Sequence, residues 1–179
     1  TLADASFHMV NWIYYDKLAK HHDVIPYSEE YNVILRNYLQ NQLDMRNDYL
    51  MLPSGEAVRD ENGTVVDFDF SHAVCVGNRA LAAGMPVIMG GFVARFHVWD
   101  EPTHYLLWDG EAEVTSFEGY RQLKLYFSKL WKVINENGWL GRYQQCLVDE
   151  PQFPNSEHYR ILSGICRKFL PGVPINDPV

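Results

Sequence analysis

Tyr143-Gln144-Gln145-Cys146-Leu147-Val148-Asp149-Glu150-Pro151 is the stretch that decides the fold. Its centre is continuously apolar, the pattern of a strand covered on both faces in a parallel sheet. We read a strand from Tyr143 to Asp149, closed by two neighbouring carboxylates and a proline. Helical patterns flank it. Upstream, Thr115-Ser116-Phe117-Glu118 reads as a capping box. Tyr120, Leu123, Phe127, Leu130, Trp131 and Ile134 then form a buried stripe up to Asn137-Gly138. Downstream, Asn155 or Ser156 caps a helix carrying Tyr159, Leu162, Ile165, Cys166 and Phe169, which Pro171-Gly172 ends. Val173-Pro174-Ile175 begins a further strand.

The same alternation extends towards the N-terminus. Phe7 to Trp12 reads as a strand, and His21 to Pro26 as a polar loop. Ser28 caps a helix with Glu29 and Glu30 in its first turn and Tyr31, Ile34, Leu35, Tyr38, Leu39 and Leu43 at helical spacing. Tyr49 to Leu52 is a second buried strand. Asn62-Gly63, between Ala57-Val58 and Val65-Val66, marks an inserted β-hairpin. Ser71 opens a helix that stops at Gly84, and Pro86 to Gly91 is the third strand. The aromatic stretch Phe92–Glu113, with a turn at Asp109-Gly110, is a long loop or hairpin.

Apolar strands alternating with helices select α/β architecture over a bundle or a sandwich. A dinucleotide-binding open sheet would want GxGxxG after its first strand, and Gly90-Gly91 does not replace that fingerprint. A complete eight-fold barrel needs roughly 250 residues. The fold class predicted for residues 1–179 is therefore the first half of a (β/α)8 TIM-type barrel, about four βα units with inserted hairpins, in one domain cut from a longer chain. Half a barrel leaves two sheet edges open, so the isolated piece is expected to be inactive or to self-associate.

Composition narrows the partners. Hydrophobic residues make up 47% of the chain, enough for a sizeable core, and the net charge is −8 without any Lys/Arg run. A phosphate-tracking surface for nucleic acid is thereby disfavoured, and a neutral polar ligand stays open. No apolar run approaches the roughly 20 residues of a membrane span. No signal-peptide pattern precedes Ala5, which leaves a secreted or periplasmic location of a longer protein open. Cys75, Cys146 and Cys166 sit among apolar neighbours without ligand spacing, so they are read as core, and neither metal nor cofactor is expected.

Reacting groups of α/β barrels gather at the C-terminal strand ends, where Asp149 and Glu150 stand. Two acids there can divide labour, one protonated and donating to a leaving oxygen, the other charged and stabilising a developing cation. They share a site only where the strand breaks up, since strand neighbours otherwise face opposite sides. Pro151 favours such a break. The competing reading makes both carboxylates complements to the next helix N-terminus. Asp100-Glu101-Pro102 repeats the three letters in the loop after the third strand, leaving Glu101 a possible companion at the same mouth. Trp12 is either a sugar-stacking ring or core, and His97 and Trp99, just past the third strand, are candidate substrate contacts. His21-His22 reads as a solvated loop, and Ser54 lacks a nucleophile-elbow setting.

Ser28-Glu29-Glu30-Tyr31, Asp67-Phe68-Asp69-Phe70-Ser71 and Cys146-Leu147-Val148-Asp149-Glu150-Pro151, in this order and spacing, resemble glycoside hydrolase family 123 and its uncharacterised relatives over nearly the whole chain. The resemblance implies the first half of that family's barrel catalytic domain and a retaining exo-β-N-acetylhexosaminidase of N-acetylgalactosaminidase type. In that chemistry the substrate's 2-acetamido oxygen attacks the anomeric carbon to give an oxazolinium. It implies Glu150 as general acid/base and Asp149 as the group that holds and polarises the acetamide, with a glycan or glycoconjugate as substrate. Two alternatives stay open: a conventional retaining glycosidase with its nucleophile on a later strand, and a non-catalytic carbohydrate-binding relative.

Overall fold

The computed structural model describes residues 9–177. Phe7 and His8 of the first expected strand lie outside them. The chain forms two compact units, the first comprising residues 1–53 and 71–89, the second residues 54–70 and 90–179.

In the first unit β1 (Val10–Asn11), β2 (Tyr49–Met51) and β5 (Val87–Gly90) pair in parallel, in the order β1-β2-β5. β5 leaves this unit after Met89. Leu50 and Ile88 are fully buried, as the unbroken apolar runs require. Helix α2 (Glu29–Asp44) starts where expected, with the Ser28 hydroxyl accepting the Tyr31 N–H at 3.1 Å, and buries Tyr31, Leu35 and Leu39. Helix α3 (Ser71–Ala83) packs on it and buries Ala73, Val76 and Ala80. A short helix that the sequence reading did not anticipate, α1 (Tyr15–His21), follows β1. It lacks a side-chain N-cap, and its anchor is tertiary: the Tyr15 hydroxyl donates to the Met51 carbonyl at 2.7 Å.

In the second unit the expected hairpin is present as β3 (Glu56–Arg59) and β4 (Val65–Asp69). Its loop is closed by Asp60, whose carboxylate accepts the N–H groups of Asn62 and Thr64, both at 2.9 Å. Gly63 takes the left-handed conformation the turn needs, at φ 80°. The aromatic stretch folds as an antiparallel ribbon, β6 (Ala94–Arg95), β7 (Tyr105–Leu106) and β8 (Asp109–Glu113). Its turn falls at Leu107-Trp108, two residues before the expected Asp109-Gly110. The reason is Trp108, whose ring stacks on Tyr126 at 4.6 Å and whose Nε1 donates to Gln122 at 2.8 Å.

Helix α4 (Phe117–Glu136) buries Leu123, Phe127, Leu130 and Ile134, with Trp131 half-buried. Its N-cap is Ser116, accepting the Gly119 N–H at 2.9 Å. The expected capping box is not what forms: Glu118 reaches forward to Arg121 at 2.6 Å and Gln122 at 2.8 Å. Phe68 of β4 meets both Trp108 and Tyr126 edge-on, joining hairpin, ribbon and α4 in one aromatic core. Then come β9 (Tyr143–Gln145), a 3-10 turn at Phe153–Asn155 and helix α5 (Ser156–Phe169), which packs on α4. Gln145 bridges in parallel to Ile175, one isolated bridge at the place where a further strand was expected to begin.

Candidate active site

The run from Tyr143 to Val148 lies between two extended segments of its own unit. Cys146 N donates to the Gly90 carbonyl at 3.3 Å, and the N–H groups of Val93 and Ala94 both reach the Leu147 carbonyl, at 2.9 and 3.0 Å. On the opposite edge Gln145 N donates to Pro174 at 2.9 Å and Asn176 N donates to Gln145 at 3.0 Å. Gln145, a polar residue in a buried strand, is satisfied: Tyr143 Oη donates to its side-chain oxygen at 2.8 Å, and its amide nitrogen donates to the Gly91 carbonyl at 2.9 Å. This cluster explains Gly90, since a Cβ there would collide with the Tyr143 hydroxyl and the Gln145 amide.

Burial ends abruptly. Cys146, Leu147 and Val148 are fully buried, whereas Asp149 and Glu150 are exposed. Glu150 sits at φ 44°, a left-handed conformation that costs a non-glycine residue about 1–2 kcal/mol, just before a proline that itself disfavours helical backbone. Strand β9 ends at Gln145, four residues before the expected Asp149, and Glu150 is left-handed, so the acid pair lies outside regular strand alternation, the condition under which neighbouring side chains can serve one surface. Strain of this kind persists only where surrounding structure enforces it, and it concentrates at functional sites.

The competing reading, in which both acids complement a helix N-terminus, does not fit this geometry. Residues 151–155 separate the pair from α5, whose first-turn acid is Glu157. Asn155, expected as a cap, makes no side-chain cap on α5 and is a buried brace instead. Its Oδ1 accepts the Gln152 N–H at 2.8 Å, and its Nδ2 donates to the Glu101 carbonyl at 3.4 Å. The His104 N–H adds a second link to His158 Nδ1 at 3.2 Å. The loop bearing His97 and Trp99 is thereby pinned to the segment that follows Glu150.

Within that loop His97 is exposed, its ring stacked on Tyr105 at 4.2 Å. Trp99 is 55% exposed and meets Phe96 edge-on. The Glu101 carboxylate is occupied by the loop itself, accepting the His97 N–H at 2.7 Å, and that bond holds it below the usual carboxylate range. The repeated Asp-Glu-Pro is thus a turn staple, with its carboxylate committed to local backbone. Trp12, in the first unit, is 41% exposed, so the core alternative for it does not hold. His22 contacts the Tyr38 hydroxyl at 3.1 Å.

Cys146 and Cys166 are buried as expected, and burial pushes both thiols up to about 12. Cys75 departs from the core reading: it is only half-buried, with Arg79 Nη1 at 2.7 Å from its sulfur. Among the described residues no group of three or more His, Cys, Asp or Glu is arranged to hold a metal ion. Among them, too, no helix is long and apolar enough to cross a membrane.

One residue beside this run escaped the sequence reading. Asp177 lies two residues beyond the Ile175 bridge, and its carboxylate accepts the Leu147 N–H at 2.5 Å, the Val148 N–H at 3.2 Å and the Tyr159 hydroxyl at 2.8 Å. Burial raises its carboxyl above the usual range against these donors, with a smaller contribution from the negative charge of Asp149. The signal was available, since an acid closes this apolar run as it closes the one before it.

No family model matches the sequence, and no curated protein matches it. Among solved structures, a family 123 glycoside hydrolase from Clostridium perfringens, described for glycolipid glycan hydrolysis, is similar at TM-score 0.70 over 94% of this chain, with 12% identity. That neighbour is of the family the sequence resembles, and at this identity the likeness establishes a shared fold. The chain spans 34% of the neighbour's length.

Proposed function

We propose that this chain carries the acid pair of a glycosidase, an exo-β-N-acetylhexosaminidase of N-acetylgalactosaminidase type, within the first half of a (β/α)8 barrel. The observation that carries the reading is the end of the buried run that follows β9, where buried Val148 gives way to exposed Asp149 and a left-handed Glu150. The fold shared with a family 123 hydrolase supports it.

In this reading Glu150 gives its proton to the departing glycosidic oxygen as the C1–O bond breaks, while the substrate's acetamido oxygen closes on C1. Asp149 accepts the acetamide N–H, directing that oxygen and stabilising the positive charge of the oxazolinium. Glu150 then takes a proton from the water that opens the ring, restoring the configuration. His97 and Trp99 are the proposed substrate contacts, with exposed Trp12 retained as a candidate stacking ring.

In the full-length protein, Glu150→Gln should lower turnover of an aryl N-acetyl-β-galactosaminide by about 10²–10⁴-fold, the typical worth of a general acid. Asp149→Asn should lose most activity too. Undiminished turnover in Glu150→Gln rejects the assignment. Trapping of a covalent sugar on a downstream carboxylate would replace it with the conventional retaining mechanism.

A further inference from the structure

We infer that Asp177 is a positioning residue: its carboxylate sets where the Tyr143–Val148 run stops, and so the direction in which Asp149 leaves it. Successive N–H groups of an extended strand point to opposite edges. Here the N–H groups of Leu147 and Val148 converge on one oxygen, Asp177 Oδ1, at 2.5 and 3.2 Å. Two consecutive amides can meet one acceptor only if the backbone has already turned, making a small anion-holding concavity from the last two buried residues. The next two residues are the acid pair, and the second of them is the left-handed Glu150.

The other carboxylate oxygen, Oδ2, is held by the Tyr159 hydroxyl at 2.8 Å, which ties the arrangement to α5. With all three donors directed at it, Asp177 is equipped to hold backbone. Asp149 follows Val148 directly in the chain, so the backbone that Asp177 holds is the backbone from which this acid leaves. The catalytic consequence rests on the glycosidase reading; the backbone consequence does not.

Two measurements on the full-length protein separate these. Amide exchange at Leu147 and Val148 should be slow in the wild type and in Asp177→Asn, whose remaining carbonyl oxygen can still accept both N–H groups, and fast in Asp177→Ala. On an aryl N-acetyl-β-galactosaminide, Asp177→Ala should lose about a hundredfold in kcat, the scale of a 1 Å misplacement, with KM unchanged. Asp177→Asn should recover most of that loss. A purely structural role would lower Tm while leaving kcat per folded molecule intact, and that result overturns the proposal. So does unchanged exchange in Asp177→Ala.

If Asp177→Ala does not fold, Asp177→Glu decides, because it keeps the charge but carries the oxygens about 1.5 Å further out. Retained exchange protection and kcat in that variant also overturn the proposal. A wild type without turnover but with the expected exchange pattern upholds the bracing by Asp177 and removes the glycosidase reading instead.

Discussion

Glu150 joins a reactive group to an unfavourable backbone. At φ 44° a glycine would be at ease, so Glu150→Gly should stabilise the fold by about 1 kcal/mol, or roughly 2–4 °C in Tm, while abolishing any acid catalysis. Thermal unfolding beside an activity assay checks this, and a lowered Tm would contradict the strain argument. At this scale the sequence offered two Asp-Glu-Pro acid pairs and was silent about which carboxylate is already engaged. Glu101 and Glu150 have the same neighbours in sequence, yet one carboxylate is spent on the His97 N–H and the other is exposed. Local composition cannot distinguish them, because the difference lies in where each backbone turns.

Among the elements, α4 shows how caps are read and misread. Ser116→Ala should cost about 1 kcal/mol by leaving the Gly119 N–H unsatisfied, measurable by denaturant unfolding. Glu118, which that cap frees for Arg121 and Gln122, is held at about 2 in the folded state against an ordinary 4.5. Its contribution is therefore complete above pH 4.5 and disappears as pH falls from 4.5 towards 2. Glu118→Gln should flatten the stability profile across that window, modestly, because the ion pair is half exposed. Phe68→Ala, which removes the ring linking β4 to Trp108 and Tyr126, should cost about 3–5 kcal/mol.

Across the whole molecule, acid should be the weak point. His104 is fully buried, and burial lowers it to about 4 from 6.5, with His158 adding to the effect. Between pH 6.5 and 4 the unfolded chain binds a proton there that the folded chain refuses, so stability falls as pH drops through that interval. Tm measured from pH 7 to 4 should decline, and His104→Phe should reduce the slope; an unchanged slope would mean that His104 is not the group responsible. This histidine could not be picked out beforehand, since nothing around Thr103-His104-Tyr105 marks it as buried.

What the residues determined alone was the alternation of apolar strands with capped helices, the hairpin at Asn62-Gly63, and the buried run that stops before Asp149-Glu150. Each is a matter of local propensity and spacing, legible in any chain with these neighbours. Tertiary structure decided the rest: α1 held by Met51, the ribbon turn drawn to Trp108 by Tyr126, Asn155 turned from cap to brace, and Asp177 gathering the last amides of a buried run about 30 residues earlier. These contacts join residues distant in sequence, and their energies depend on burial and partners that exist only once the chain has folded.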